Sequence, residues 1–281
     1  MPALEPPFGI HHIVATALAE DLSAGDLTPE ACIDPATQAV ASAVARAPLV
    51  ACGAPVFTAV FLSVDPTLAI ERHVAEGSTV LAGSPLWTVR GRARSILMGE
   101  RVALNFVQRM SGIATSARAY VDALPQGSKT RIADTRKTTP GLRSLERYAV
   151  RVGGGHNHRD NLGSAVLIKD NHIAACGGVQ TAIERARARA PHTSRVECEV
   201  DSLVQLDEAL AAGADVVLLD NMTDGQIRDA VGRAHGRAIL EASGGITLGR
   251  VAALGRLGVD VISVGALTHS VVAADIGLDF A

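Results

Sequence analysis

Aromatic residues are scarce in this sequence, which has one tryptophan, two tyrosines and five phenylalanines among 281 residues. Proteins that bind single-stranded nucleic acid stack bases on such side chains, and nucleic-acid-binding domains usually carry a basic patch or arm. The formal net charge here is −3, and the sequence has no basic tail. We therefore expect no nucleic-acid partner and consider small anionic molecules better candidates.

Cysteines and long apolar runs are also few. Cys32, Cys52, Cys176 and Cys198 lack Cys-x-x-Cys spacing, so neither a zinc centre nor a disulfide framework is expected. Apolar runs such as residues 216–219 are far shorter than the ~20 residues of a membrane-spanning helix. The sequence also does not start with a basic stretch followed by an apolar one. We predict a globular, cytoplasmic protein that has no membrane partner.

Positive charge is concentrated in residues 134–172, although the whole chain is slightly acidic. The cations of this segment are Arg136, Lys137, Arg143, Arg147, Arg151, Arg159 and Lys169. Several of them adjoin Pro140 or the glycines at 153–155, or lie where a strand should end. Binding residues are commonly held at such turns and strand ends. A solvated basic surface is the alternative, but we interpret the segment as an anion site.

The first part of the chain mixes helix and strand patterns. Residues 10–21 predict an amphipathic helix, residues 38–47 predict a strand, and a long helical pattern over residues 96–124 is expected to link two domains. We predict an N-terminal α+β sandwich domain over residues 1–112, joined by the C-terminal segment 270–281.

The second part repeats a strand followed by a helix. Its short apolar strands are TRIADT, AVLIKD, VECEV, ADVVLLD, AILEAS and VDVISVG. From VECEV onward the strands start roughly every 20 residues, the spacing of successive β/α units with parallel strands. We therefore predict an α/β fold with a TIM-like, open β/α barrel over residues 113–269.

Polar residues recur at the carboxyl ends of these strands, namely Asp134, Lys169, Glu199, Asp220, Ser243 and Gly265. A β/α barrel places its functional residues there, because all the strand ends meet at one mouth. Ser243 and Gly244 precede a helix whose N-terminal N–H groups can face an anion. Gly265 and His269 follow the next strand, and the loops after the last two barrel strands frequently bind phosphate. We predict a phosphate site at these two loops.

Two groups of residues suggest a metal. His156 and His158 have the spacing of a metal-binding pair, but the glycines before them disfavour a strand and no further His or Cys lies at ligand spacing. Glu199 and Asp220 suit Mg²⁺ with retained waters, or hydrogen bonds to sugar hydroxyls. Their pairing with nearby cations such as Lys169 is the alternative.

Lys137 and Lys169 also permit a Schiff-base hypothesis, because aldolase-like barrels hold a lysine at a strand end. Arg136, beside Lys137, would favour the neutral amine that such chemistry needs. The abundance of cations nevertheless argues more simply for a polyanionic ligand.

A family resemblance is carried by the motifs ERVALNFVQRMSGIAT, DTRKTTPGLR, YAVRVGGGHNHR, VLIKDNH, VECEVD, LLDNM, ASGGI and VGALTHS. In this order, and with AEDLSAGDLT from Ala19, they closely resemble the quinolinate phosphoribosyltransferase family, a type II phosphoribosyltransferase family. Arg147, where a lysine is frequent, and the alanine-rich N-terminal strands are the departures. The resemblance implies conversion of quinolinate and phosphoribosyl pyrophosphate to nicotinate mononucleotide, pyrophosphate and CO₂ in de novo NAD biosynthesis, with Mg²⁺ as cofactor.

The resemblance also implies roles for individual residues. The implied clamp on the pyridine dicarboxylate is Arg136, Lys137, His158 and Arg159. The implied catalytic residues are Lys137, Lys169, Glu199 and Asp220, of which the two carboxylates hold Mg²⁺ and ribose hydroxyls and Lys169 approaches the pyrophosphate. The implied phosphate ligands are Ser243, Gly244, Gly265 and His269. Arg101 is implied to reach the active site of a partner subunit, in a homodimer with shared sites or a higher oligomer.

Three other functions stay open. A molybdate-transport-associated relative of the same fold would use a different phosphoribosyl acceptor, and the intact DTRKTTPG and GGGHNHR motifs argue against it. A non-catalytic metabolite-binding barrel has no need for carboxylates at several strand ends. A Schiff-base lyase would form a lysine adduct that borohydride traps.

Overall fold

The computed structural model describes residue 7 and residues 9–281, and their contacts group into two compact units. The first unit contains the described residues up to Arg118, together with Thr138–Gly154 and Leu267–Ala281. The second unit contains Ala119–Lys137 and Gly155–Ala266. The α/β class, with an N-terminal α+β domain and a parallel β/α domain, is confirmed. The expected domain boundary at residues 112–113 stays a prediction.

The N-terminal part of the chain alternates helices with short strands, as its patterns predict. In chain order its elements are α1 (Ile10–Asp21), α2 (Leu27–Cys32), β1 (Gln38–Ala45), β2 (Leu49–Val50), α3 (Ala54–Val64), β3 (Ala69–Arg72), β4 (Thr79–Val80), β5 (Pro85–Arg92) and α4 (Ala93–Asp122). In the part of the chain that the structure describes, no helix combines the length and apolar character needed to cross a membrane.

The remaining elements include all the strands predicted for the barrel. They are β6 (Arg131–Ala133), α5 (Arg143–Val152), β7 (Val166–Ile168), α6 (Asp170–Cys176), α7 (Val179–Arg189), β8 (Val196–Val200), α8 (Leu203–Ala211), β9 (Val216–Asp220), α9 (Asp224–Ala234), β10 (Ile239–Ser243), α10 (Leu248–Leu257), β11 (Val261–Ser263), α11 (Ala266–His269) and β12 (Ile276–Phe280).

The first unit is built on a four-stranded sheet with the order β12-β1-β5-β3. Its neighbouring strands run antiparallel, and β12 pairs with β1 so that Ala43 lies opposite Leu278. An aromatic core fixes α3 in this unit, because the ring of Phe57 lies 4.8 Å from that of Phe61 and 5.1 Å from that of Trp87. All three side chains are fully buried.

Helix α5 belongs to the first unit because its buried carboxylate, Glu146, binds Arg109 of α4. Glu146 Oε1 accepts hydrogen bonds from Arg109 Nη2 at 2.7 Å and Nε at 2.9 Å, and Glu146 Oε2 accepts one from the Thr139 N–H at 3.1 Å. The basic segment is therefore divided. Arg143, Arg147 and Arg151 lie in the first unit, whereas its other cations lie in the second.

The second unit is a six-stranded parallel sheet with the order β6-β11-β10-β9-β8-β7. Its first strand in sequence, β6, pairs with its last, β11, so the sheet curls into a barrel. The barrel is open between β6 and β7, where His156 forms a single parallel bridge with Ala133. After the glycines, only His156 therefore pairs with β6 as a strand residue would. The carboxyl ends of the strands meet at one mouth.

Candidate active site

A cavity of about 510 Å³ lies within the second unit at the carboxyl ends of the barrel strands. Most of the residues predicted from strand ends and motifs line it: Arg136, Lys137, His158, Arg159, Lys169, Glu199, Asp220, Ser243 and Gly244. The lining also includes residues that the sequence did not single out, namely Thr135, Asn221, Glu241, Gly245 and Ser263. The predicted anion site and the predicted strand-end site are therefore one cavity.

Three predicted residues lie elsewhere in the fold. Gly265 belongs to the second unit and immediately precedes α11. Arg101 and His269 belong to the first unit. Arg101 is exposed on α4 and borders a cavity of about 290 Å³ in that unit, together with Phe106. The implied roles of these three residues stay predictions.

Lys169 connects the end of β7 to the carboxylate at the end of β8. It is the N-cap of α6, and its Nζ donates to Glu199 Oε2 at 2.8 Å. The pairing considered as the alternative for Glu199 is therefore present. The Lys169 side chain is 45% exposed, and an exposed ion pair of this kind contributes little to stability. An anionic ligand can therefore compete for the ammonium group at small cost.

The loop after β10 is pressed against the loop after β9. Gly244 has φ +86°, and a Cβ at this position would lie 2.3 Å from Asn221 Oδ1 and 2.8 Å from Asn221 N. The Asn221 N–H donates to the Ser243 carbonyl at 3.0 Å, and Asn221 Nδ2 donates to Asp220 Oδ2 at 2.8 Å. Only glycine fits at residue 244. Helix α10 begins just beyond, after Thr247, so its N-terminal N–H groups face this loop region.

The segment that carries His158 and Arg159 is tied to β6 by Asp134, whose side chain is fully buried. Asp134 Oδ2 accepts from Asn157 Nδ2 at 2.6 Å, and Asp134 Oδ1 accepts from the His158 N–H at 2.7 Å. Arg159 Nη1 donates to the Ala165 carbonyl at 3.0 Å. These bonds hold two of the predicted substrate residues in the open side of the barrel.

Two guanidinium groups lie close together in the cavity. Burial, and next the charge of Arg136, lower the pKa of Arg159. A bound dianion would relieve this like-charge repulsion, and the planar fork of arginine suits bidentate contact with a carboxylate. This electrostatic arrangement favours a substrate with more than one negative charge.

A cluster that the sequence did not predict lies in the barrel interior. His158 Nε2 is 3.2 Å from Glu197 Oε2 and 3.5 Å from Glu241 Oε1. Burial and the charge of Glu197 raise the pKa of Glu241 to about 7. No further His or Cys lies near His158 in sequence at ligand spacing, but two glutamates are its neighbours in space. The sequence signal that could have indicated this cluster is a glutamate inside an otherwise apolar strand, Glu197 in VECEV and Glu241 in ILEAS.

The fold and the cavity define a class of protein. A β/α barrel with clustered cations, strand-end carboxylates and a glycine-bounded helix N-terminus is suited to an enzyme acting on phosphorylated polyanions. Family models agree with this class. The N-terminal domain of quinolinate phosphoribosyl transferase matches residues 26–111, and its C-terminal domain matches residues 113–279. The chain belongs to the quinolinate phosphoribosyl transferase family.

Individual relatives span nearly the whole chain. A nicotinate-nucleotide pyrophosphorylase [carboxylating] from Mycobacterium leprae is 48% identical over 275 residues, which cover 95% of each chain. A probable nicotinate-nucleotide pyrophosphorylase [carboxylating] from Bacillus subtilis is 43% identical and covers 92% of this chain and 89% of its own. The crystal structure of NadC from Streptococcus pyogenes superposes with a TM-score of 0.94 at 43% identity and covers 99% of both chains.

Proposed function

We propose that the chain converts quinolinate and phosphoribosyl pyrophosphate to nicotinate mononucleotide, pyrophosphate and CO₂, in de novo NAD biosynthesis. The observation that carries this proposal is the coexistence, in one cavity, of the Arg136 and Arg159 pair with the Ser243 to Gly245 loop. The arginine pair suits a dicarboxylate, and the loop suits a phosphate. The names of the relatives support the same reaction.

The chemistry needs no nucleophile from the protein. The pyridine nitrogen attacks ribose C1 as pyrophosphate leaves, and the carboxylates of Glu199 and Asp220 stabilise the positive charge that develops on the ribose. When phosphoribosyl pyrophosphate binds, Lys169 Nζ can exchange Glu199 for an oxygen of the pyrophosphate group. This exchange frees Glu199 for the ribose hydroxyls. As CO₂ leaves, the electron pair of the carbon–carboxylate bond stays on the ring carbon, where the adjacent quaternised nitrogen stabilises it, and a proton then binds that carbon in place of the carboxylate. The arginines hold the ring in position throughout.

Glu199 and Asp220 fit Mg²⁺ as the proposed cofactor. Both offer only carboxylate oxygens to the cavity, and among the described residues they belong to no cluster of three or more potential protein ligands. Mg²⁺ usually takes one or two carboxylates and completes its sphere with waters and substrate phosphates. When bound, the ion would neutralise charge on the pyrophosphate leaving group.

Incubation with quinolinate, phosphoribosyl pyrophosphate and Mg²⁺ tests the reaction, with nicotinate mononucleotide and CO₂ as the expected products. Nicotinate should be a poor substitute, because the mono-acid cannot make the charge-assisted hydrogen bonds of the second carboxylate, which contribute roughly 1.5–3 kcal/mol each. Near-equal kcat/KM values for the two acids would contradict the assignment. Binding without turnover would indicate a metabolite-binding barrel instead.

We also propose a cytoplasmic homodimer with shared active sites, in which Arg101 serves the partner's cavity. Its exposure on α4 supports this role. Arg101→Ala and Lys137→Ala should each be nearly inactive alone. Equal mixtures should regain about a quarter of wild-type sites, since half the dimers are mixed and each mixed dimer has one intact site. No recovery after verified subunit exchange would rule out sharing.

A further inference from the structure

The cluster of His158, Glu197 and Glu241 lies where two cavities of the second unit meet. His158 and Glu241 line the active-site cavity and also a cavity of about 420 Å³ that is bordered by the first residues of strands, such as Val216 and Ile239. The two glutamates are 6% and 4% exposed. The cluster therefore forms the floor of the active site, and the function proposed above does not use the glutamates.

The hydrogen bonds of His158 define one tautomer. Its Nδ1 accepts a hydrogen bond from the Arg159 N–H at 2.7 Å, so Nδ1 carries a lone pair and no proton. The ring proton is therefore on Nε2, which points at the two glutamates. Burial opposes the imidazolium form, while the carboxylates favour it and raise the pKa of His158. A second proton, however, would have to displace the Arg159 N–H.

One N–H cannot satisfy two carboxylates. The Nε2–H lies within 3.4 Å of both Glu197 oxygens, whereas Glu241 Oε1 has no hydrogen-bond partner among the described residues. Two ionised carboxylates at one buried site repel each other, as in the aspartic-protease dyad. The less well-partnered Glu241 therefore binds a proton more readily than an exposed glutamate does, and its pKa is raised.

A metal ion does not fit this cluster, although three potential ligand atoms lie within 4.8 Å of one another. A metal-bound histidine donates its other N–H to a carbonyl or carboxylate. Here the other nitrogen, Nδ1, faces the Arg159 N–H, which is a donor. The His158 ring is thus oriented for a proton on Nε2.

We propose that Glu197 and Glu241 hold the Nε2 side of His158 in place, so that His158 anchors the Arg159 backbone and positions that arginine for the dicarboxylate. This inference rests on the proposed function and revises one implied role. Both nitrogens of His158 are engaged by the protein, so His158 is a positioning residue and not a cation that binds the substrate. Arg136, Lys137 and Arg159 are the members of the implied clamp that remain to bind the acid.

The arrangement makes acid binding sensitive to pH. The ionisable groups whose charges act on the pKa of Glu241 are Glu197 from β8, Asp134 from the end of β6 and His158. Neighbouring β9 and β11 present Leu218 and Ser263. The charged side chains of Arg131, Arg159 and Arg195 border the cavity on the other side of the cluster. Above about pH 7, Glu241 ionises. A second negative charge then lies beneath the dicarboxylate, and the KM for quinolinate should rise.

The first test uses the wild-type protein without substrate. Ring-¹⁵N-labelled histidine distinguishes the Nε2–H tautomer, the Nδ1–H tautomer and the imidazolium by chemical shift, and a His158→Gln spectrum assigns the signal. The neutral Nε2–H tautomer is expected at neutral pH. An imidazolium or an Nδ1–H ring would overturn the inference, whether or not the protein turns over quinolinate.

The second test compares pH profiles of KM and kcat. Glu241→Gln should abolish the alkaline rise in the KM for quinolinate, and Glu197→Gln should move it to lower pH, because Glu241 then loses its repulsive neighbour. Glu184→Gln, on the outer face of α7, is the matched control and should keep the wild-type profile. An unchanged alkaline rise in Glu241→Gln would refute the inference. An inactive wild type would refute the proposed function instead.

Two substitutions of His158 distinguish a role in anchoring the Arg159 backbone from direct contact with the substrate. Asparagine at residue 158 keeps an acceptor near the Nδ1 position, whereas glutamine keeps a donor near Nε2. We expect His158→Asn to stay within about tenfold of the wild-type KM for quinolinate and His158→Gln to exceed that range. The reverse order would mean that Nε2 binds the substrate.

Discussion

The two units each contain a deeply buried carboxyl group, and the two groups behave in opposite ways. Asp65, in the first unit, is 2% exposed, and Glu241, in the barrel, is 4% exposed. Hydrogen bonds from Thr67, Ser95 and Arg92 hold the pKa of Asp65 well below its usual range. Burial and the charge of Glu197 instead raise that of Glu241 to about 7. Although their exposed fractions are similar, hydrogen-bond donors lower the pKa of Asp65, whereas burial and a like charge raise that of Glu241.

The buried carboxyl groups of the first unit contribute to stability, whereas Glu241 of the barrel belongs to the functional site. In the first unit the buried acids Asp65 and Glu146 have enough donors for their charges, and their bonds tie elements together. In the barrel, Glu241 Oε1 has no hydrogen-bond partner among the described residues, and the charge of Arg136 lowers the pKa of Arg159. Titratable groups with such perturbed pKa values are typical of functional sites. Mutations in the two regions should therefore affect different measurements.

The largest expected effect is on catalysis. Arg136→Ala and Arg159→Ala should each lower kcat/KM for quinolinate by a factor of ten or more, given ~1.5–3 kcal/mol for a charge-assisted hydrogen bond. Their melting temperatures should change little, because the variants also relieve like-charge repulsion. Arg185→Ala, exposed on α7, is the control. Equal losses in all three variants would mean that they act through folding.

A smaller effect is expected from the loop after β10. Gly244→Ala forces a Cβ against Asn221 at a positive φ, and strain of about 1–3 kcal/mol should displace the loop. The KM for phosphoribosyl pyrophosphate should rise more than the KM for quinolinate. Gly245→Ala is the matched control, because it also places alanine at a positive φ, of +57°, but its Cβ would come no nearer than 4.0 Å to Asn221 Oδ1. Similar kinetics for the two variants would show that the contact with Asn221 does not matter.

The smallest effect concerns stability alone. Asp65→Asn should destabilise the protein by about 1–2 kcal/mol at neutral pH, because it weakens the bonds to Ser95 and Arg92. The folded-state pKa of Asp65 is below its unfolded value. Its contribution is therefore complete above the unfolded pKa, near 4, and is lost as the pH falls towards the folded value.

Urea unfolding of wild type and Asp65→Asn at several pH values measures this difference. It should shrink as the solution is acidified, while kcat at neutral pH stays unchanged. A difference that grows on acidification would contradict the assignment.

Local sequence patterns predicted the barrel well because each β/α unit is continuous in the chain. Apolar strands such as VECEV and ILEAS, and the polar residues that follow them, can be recognised within a single β/α repeat. The grouping of residues 138–154 with the first unit could not be predicted from local patterns, because contacts such as the bond between Arg109 of α4 and Glu146 of α5 join residues that are far apart in the chain. No local pattern records such a pair.

The cluster of His158, Glu197 and Glu241 could not be predicted from the sequence for a related reason. Glu197 and Glu241 lie on different strands, and only the curl of the sheet brings both to His158. A glutamate within an apolar strand can face either solvent or the barrel interior. The positions of Arg101 and His269 in the first unit likewise leave their implied roles to experiment.

The pairing of β6 with β11, and of β1 with β12, has a consequence for biosynthesis. Each pair joins strands separated by more than a hundred residues of chain, and such non-local contacts slow folding. Residues 261–280 complete both sheets, so on the ribosome neither unit can finish its sheet until this segment emerges. Until then the edges of β1 and β6 are open to pairing with other chains. Cellular yield should therefore depend more on chaperone supply than the stability of the finished protein suggests.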